Sequence, residues 1–165
     1  MRLAEHDPDW VHQFQRAAAL IVAATGIPEE RVQHVGSTSV PDLIAKPILD
    51  INVGILPSDD VEVVVARLVE LGYIDRGEGE GGIGRLLVWE SAPDVRTTHV
   101  HLQPFDSRWW RGDLQFRDAL RADTELRRRY ARLKSELAQQ FADDRRAYRH
   151  AKNDFFRTEA PKCWS

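Results

Sequence analysis

A single cysteine, Cys163, stands in 165 residues, which excludes a disulfide framework and a thiolate metal site. Its place near the end of the chain argues against a nucleophilic role. Nowhere do ~18 apolar residues run together as a membrane helix requires, and the opening Met1-Arg2-Leu3-Ala4-Glu5-His6-Asp7-Pro8 contains no apolar signal segment. We therefore expect a cytoplasmic protein with no membrane partner. An excess of one charge is also missing. Net charge −3 with 30% charged residues describes an ordinary soluble surface, without the electrostatic footprint of a nucleic-acid binder. Arg127-Arg128-Arg129 does not change this, because consecutive residues spread around a helix and no aromatics interleave with them. Nucleic acid is not an expected partner. No linker rich in Pro, Gly or Ser and no internal repeat divides the chain, and 42% hydrophobic residues suffice for the core of one domain.

Hydrophobic periodicity sets the expected elements. Asp7-Pro8 reads as an N-cap followed by a first-turn proline. Trp10, Phe14, Ala17, Ala18, Ile21 and Val22 then repeat at helical spacing up to Gly26. A short strand is expected from Arg31 to Val35, one helical turn over Val40 to Ala45, and a strand from Ile48 to Ile55. Ser58 or Asp59 would cap a helix whose inner face carries Val61, Val64, Val65, Leu68 and Leu71, closed by Gly72. Tyr73-Ile74 and Leu86 to Trp89 read as strands around a glycine-rich loop from Arg76 to Arg85, and Arg96 to Gln103 as another strand. Three helices follow, over Trp109–Ala122, Thr124–Phe141 and about Asp144 to Thr158. The expectation is an α+β protein in which residues 1–105 form an α/β core and 106–165 a helical C-terminal part packed on it, one domain in all. From Phe116 to Ala160 there are 12 Lys and Arg against 8 Asp and Glu, so the tail is basic relative to the body.

Three groups of residues carry candidate chemistry. Gly36-Ser37-Thr38-Ser39 offers uncrowded backbone N–H groups and three hydroxyls before a short helix, an arrangement that suits phosphate or, alternatively, serves only as a helix cap. On the following strand, alternation sends Leu49, Ile51 and Val53 to one face and Ile48, Asp50 and Asn52 to the other. A polar pair on such a strand is costly to bury without a partner. In His99-Val100-His101-Leu102-Gln103, the same alternation sets His99, His101 and Gln103 on one face. If the two strands lie side by side, Asp50, Asn52, His99 and His101 line one cleft.

Two imidazoles and a carboxylate suit Zn²⁺, Mn²⁺ or Fe²⁺ better than Mg²⁺. Without a metal, His101 would serve as a general base or phosphate ligand. Lys46 and Arg96 flank these strands and add positive charge. Arg117 with Arg121, Tyr130 with Lys134, and Tyr148 with Lys152 each share a helix face, where they either hold an anion or lie over the core. Gly79-Glu80-Gly81-Gly82-Ile83-Gly84 matches a dinucleotide fingerprint only literally. A strand pattern follows it instead of a helix, and Glu78 and Glu80 would repel a pyrophosphate. A hairpin loop, perched over the cleft as a lid, is the better reading.

Taken together, His34-Val35-Gly36-Ser37-Thr38-Ser39-Val40-Pro41, Ala45 to Ile51, His99 to Leu102, Phe116 to Arg121, Tyr130 to Lys134, and Tyr148 with Lys152 resemble the GrpB family of the DNA polymerase β-like nucleotidyltransferase superfamily. Asp42 and Asn52 depart from the family pattern. The resemblance implies a nucleotidyltransferase-like mixed β-sheet flanked by helices, with Gly36-Ser37 as the phosphate-gripping turn and Asp50 as the first catalytic acid. In active members paired carboxylates hold two Mg²⁺ ions; here Asn52 stands at the second position. GrpB-like domains fused to dephospho-coenzyme A kinase point to nucleotide or coenzyme metabolism. Three functions follow as expectations. The first is a nucleotidyltransferase-like enzyme acting on a small nucleotide or phosphorylated metabolite. In it Asp50, His99 and His101 would be catalytic and metal-holding, while Gly36, Ser37, Thr38, Lys46, Asn52, Arg96, Arg117, Lys134 and Lys152 would hold substrate. The second is a His/Asp metal-assisted hydrolase or lyase using the same cleft. The third is a catalytically silent nucleotide-binding module.

Overall fold

The alternating run that begins at Ile48 forms a strand, β2 (Leu49–Ile55), at the centre of the molecule. The computed structural model describes residues 3–79, 84–142 and 144–159; Cys163 and the middle of the glycine-rich loop, Glu80 to Ile83, lie outside them. β2 pairs antiparallel with β1 (Val32–Val35) on one side and parallel with β5 (Val95–Pro104) on the other. β4 (Arg85–Ala92) and β3 (Ile74–Glu78) extend the sheet antiparallel beyond β5, giving the order β1-β2-β5-β4-β3. Among the described residues this is one mixed, five-stranded sheet with helices on both faces, an α+β architecture.

The two faces have different contents because the strands alternate. Leu49, Ile51 and Val53 of β2, with Val100 and Leu102 of β5, pack on α1 (Asp9–Thr25) and α2 (Val61–Glu70). The other face meets α3 (Arg108–Ala122) and the helices behind it, α4 (Thr124–Gln140) and α5 (Arg145–Glu159). There a second cluster joins Val40 and Leu43 to Phe116, Leu120, Leu126 and Tyr130. No helix among the described residues is long and apolar enough to cross a membrane.

Several boundaries differ from expectation, each for a local reason. Pro8, not Asp7, takes the position before α1, but the Asp7 carboxylate still accepts the Asp9 N–H at 2.9 Å. The α2 cap is Asp60, whose Oδ1 accepts the Glu62 and Val63 N–H groups. Asp59 instead pairs with the buried Arg31 guanidinium. The helical turn lies earlier than Val40–Ala45: a single 3-10 turn spans Ser37–Ser39, and Ala45 bridges to Ala4. β3 runs on to Glu78, into the expected loop, because Asp75 accepts both the Gly77 N–H and the Arg85 guanidinium of β4.

Losing a helix cap costs about 1 kcal/mol. Asp60→Ala should therefore lower the unfolding free energy by about that amount in urea titrations, with Ser58→Ala unchanged as the control. Equal effects at the two positions would refute the cap assignment.

Candidate active site

Parallel pairing of β2 with β5 sets Asp50 opposite His99 and Asn52 opposite His101. Because alternation points all four to the same face, the carboxylate and both imidazoles converge. Asp50 Oδ1 is 3.2 Å from His99 Nδ1 and 3.3 Å from His101 Nε2, each ring donating where it carries its proton there. Burial pushes the Asp50 carboxyl up, but the bonds from His101 and His99 outweigh it and hold the group well below the usual carboxylate range. For His101, burial favours the neutral ring, yet the Asp50 hydrogen bond and the charges of Asp50 and Asp113 raise its pKa.

The turn leans directly onto this carboxylate. Gly36 has φ 69° and ψ −173°, a conformation open to glycine, and a Cβ there would stand 2.5 Å from Asp50 Oδ2. The three hydroxyls that follow have separate places. Ser39 Oγ donates to Gly36 O at 2.6 Å, and Thr38 Oγ1 is buried 3.0 Å from His34 Nε2. Ser37 lines a cavity of about 340 Å³, as does the buried Tyr130. His34 stacks on Phe14 with ring centroids 4.8 Å apart, and burial lowers its pKa to about 4, so it stays neutral.

The same cavity is bounded by Asp50, Asn52 and His101 on the sheet, by Asp113 and Arg117 on α3, and by Trp109 and Phe116. Not every residue expected at the site reaches it. Arg96 sits at the β4–β5 hairpin end beside Glu90, about 10 Å along the strand from His99. Arg117 borders the cavity but donates to Gln33 Oε1 and His34 O, both at 3.0 Å. Arg121 donates twice to Ser39 O. Lys134 is buried, with Nζ 2.6 Å from Ile44 O. Lys46 and Lys152 lie 4.8 and 4.9 Å from the Tyr148 ring centroid.

Asp113 is the residue that sequence reasoning missed. Its Oδ2 accepts from Asn52 Nδ2 at 2.8 Å and Gln103 Nε2 at 3.1 Å. Burial raises its pKa, the two amides pull it back, and the nearby Asp50 charge raises it further. The one signal in the chain was its place four residues before Arg117, on the same face of α3.

Asp50, His99 and His101 form the described His/Asp group able to hold a metal, with ligand atoms within 4.8 Å of one another. Metal–ligand bonds of about 2.0–2.2 Å place neighbouring donors roughly 3.0–3.5 Å apart. The two separations at Asp50 Oδ1 fall in that range, while the two ring nitrogens lie within 4.8 Å of each other. Asn52, an amide already bonded to Asp113, supplies no second carboxylate on β2 for a second ion.

The fold is a mixed five-stranded sheet flanked by helices, and comparison with known proteins gives the family. Residues 1–161 match the family model described as GrpB protein, and the chain belongs to that family. It is 37% identical over 153 residues to a UPF0157 protein of Pseudomonas aeruginosa, covering 90% of this chain but only 61% of that relative. It is 29% identical over 190 residues to a dephospho-CoA kinase of Mycolicibacterium paratuberculosis, covering 99% of this chain and 46% of the kinase. The crystal structure of GrpB from Enterococcus faecalis superposes with a TM-score of 0.82 at 33% identity, over 99% of this chain and 97% of that one.

Burial, reinforced by the charges of Lys152 and Lys46 against that of Asp50, lowers the Lys134 pKa from 10.5 to about 7. Between those values the unfolded chain binds the extra proton, so stability should rise with pH from about 7 to about 9.5, below the tyrosine range. Lys134→Met should flatten that rise in denaturant titrations across the same window; an unchanged slope would refute the assignment.

Proposed function

We propose that the chain is a nucleotidyltransferase-like enzyme acting on a small nucleotide or phosphorylated metabolite, with one divalent ion held by Asp50, His99 and His101. The observation that carries this reading is the convergence of both imidazoles on Asp50 Oδ1 directly beneath the Gly36–Ser37 turn. A phosphate seated against that turn stands next to the metal-holding carboxylate. The dephospho-CoA kinase relative supports a nucleotide-related substrate.

In this reading the chain's own groups orient the reactants. The Ser37 hydroxyl, on the cavity wall, hydrogen-bonds a phosphate oxygen. The histidines keep Asp50 ionised before an ion binds, and a bound ion would take the place of the protons on the facing ring nitrogens. Trp109 and Phe116 wall the cavity with apolar surface that excludes water. A bound divalent ion would polarise a phosphoryl oxygen and neutralise charge developing on it. Transfer forms an O–P bond to an acceptor hydroxyl, breaks the bridging P–O bond and releases pyrophosphate.

The test uses the four ribonucleoside triphosphates labelled at the α-phosphate, a deproteinised bacterial extract as acceptor pool, and Mn²⁺, Zn²⁺ or Mg²⁺. Labelled adducts and pyrophosphate should appear, and Asp50→Asn should reduce them by 10²-fold or more while the variant still unfolds cooperatively as a folded chain. Nucleotide binding with no product under any metal would identify a silent module.

The imidazole-rich donor set favours one second reading, metal-assisted hydrolysis with water as acceptor. Its signature is inorganic phosphate or nucleoside monophosphate formed without adducts. It also predicts about one transition-metal ion per chain by elemental analysis, lost in His101→Ala. Product formation with Mg²⁺ and no bound transition metal would exclude it.

A further inference from the structure

Two polar groups of different character line the cavity. One is the Ser37 hydroxyl with the Gly36 turn. The other lies where β2, β5 and α3 meet around Asp113, and there two amide side chains address a single carboxylate oxygen. Asn52 is fully buried and Gln103 nearly so. Both direct their NH₂ groups to Asp113 Oδ2, which leaves Asn52 Oδ1 and Gln103 Oε1 buried without hydrogen-bond partners among the described residues. Orphaning two buried acceptors is unfavourable, and apolar side chains of similar shape would fasten α3 to the sheet without that penalty. The arrangement does something an apolar contact cannot: it fixes a carboxylate at one point on the cavity wall.

We propose that Asp113 recognises the hydrogen-bond-donating group of the ligand, a hydroxyl or an amino group. This rests on the reading that the ligand's phosphate lies at the Gly36–Ser37 turn. With Oδ2 held by the two amides, Oδ1 is the atom that meets the ligand. The Asp113 carboxylate disfavours a phosphate beside it, whereas the Asp50 carboxylate at the turn is faced by His99 and His101. Trp109 and Phe116 supply apolar walls against which a ring between the two groups can lie. The ligand class is a nucleotide or sugar phosphate with a neutral, donor-bearing end, bound in one direction only.

Asp113→Asn keeps the side chain's shape, and its carbonyl oxygen can still accept from Asn52 and Gln103, so the variant should fold with an unchanged melting temperature. Calorimetry would compare it with the wild type using the tightest binder of the four ribonucleoside triphosphates, that nucleotide's 2′,3′-dideoxy analogue, and inorganic triphosphate. The variant should bind the nucleotide about tenfold or more weakly, as for loss of a hydrogen bond to a charged group, and inorganic triphosphate within about twofold. A dideoxy analogue that binds wild type as weakly as the parent binds the variant assigns the contact to sugar hydroxyls. One that binds wild type like the parent assigns it to an amino group of the base. Unchanged nucleotide affinity in the variant would overturn the proposal and leave the phosphate reading intact. So would a parallel loss for both probes with a lower melting temperature, which is the mark of a structural role. If neither nucleotide nor triphosphate binds the wild type, the phosphate reading falls and takes this one with it.

Discussion

One oxygen atom, Asp50 Oδ1, accepts from two imidazoles, and the geometry around it constrains most of the sheet. For both rings to reach that atom, β2 and β5 must run parallel and in the register that sets Asp50 against His99. A slip of one residue would turn the histidines into the apolar layer under α1 and α2 and bring Val100 and Leu102 out. The carboxylate's other oxygen imposes a second condition. It lies so near the preceding turn that only the absence of a side chain at Gly36 lets the two segments coexist. Strand register, strand direction and turn conformation therefore answer to the same carboxylate.

The helical half meets this arrangement through cations on backbone carbonyls. The segment from His34 to Ile44 carries little regular structure, so its carbonyls need partners from outside. Arg117 reaches His34 O, Arg121 reaches Ser39 O and Lys134 reaches Ile44 O. These three side chains fasten α3 and α4 to the loop that carries Gly36 and Ser37. The basic character of the C-terminal third thus has a structural use as well as an electrostatic one, and the two are compatible. A lysine whose burial has already brought its pKa to about 7 needs only a nearby anion to be charged again.

How much of this could be read from the sequence depended on whether a feature was periodic or tertiary. The two site strands were legible because alternation separates Asp50 and Asn52 from Leu49, Ile51 and Val53, and His99 and His101 from Val100 and Leu102. The helices were legible from their apolar stripes, with ends uncertain by a residue or two where several carboxylates compete, as at Asp59 and Asp60. The turn over Ser37–Ser39 was misplaced because Val40-Pro41-Asp42 has a helix-start composition, whereas Val40 and Leu43 are drawn into the core beneath Phe116 and Leu120. Asp113 was invisible. A lone acid on an amphipathic helix looks like surface, and its burial exists only once Asn52 and Gln103 arrive from two strands. Arg96 illustrates the reverse error, since proximity in sequence to His99 is distance in space along an extended strand.

The parallel pairing of β2 and β5 also bears on the order in which the molecule comes into being. Parallel neighbours cannot be joined by a tight turn, and here α2, β3 and β4 fill the connection, so Asp50 precedes His99 by 49 positions and His101 by 51. During synthesis the carboxylate and its turn emerge well before either imidazole. Contacts between distant segments form late because closing the intervening chain costs entropy first. The three side chains are therefore not together in a growing chain, and they meet in the same step that closes the sheet.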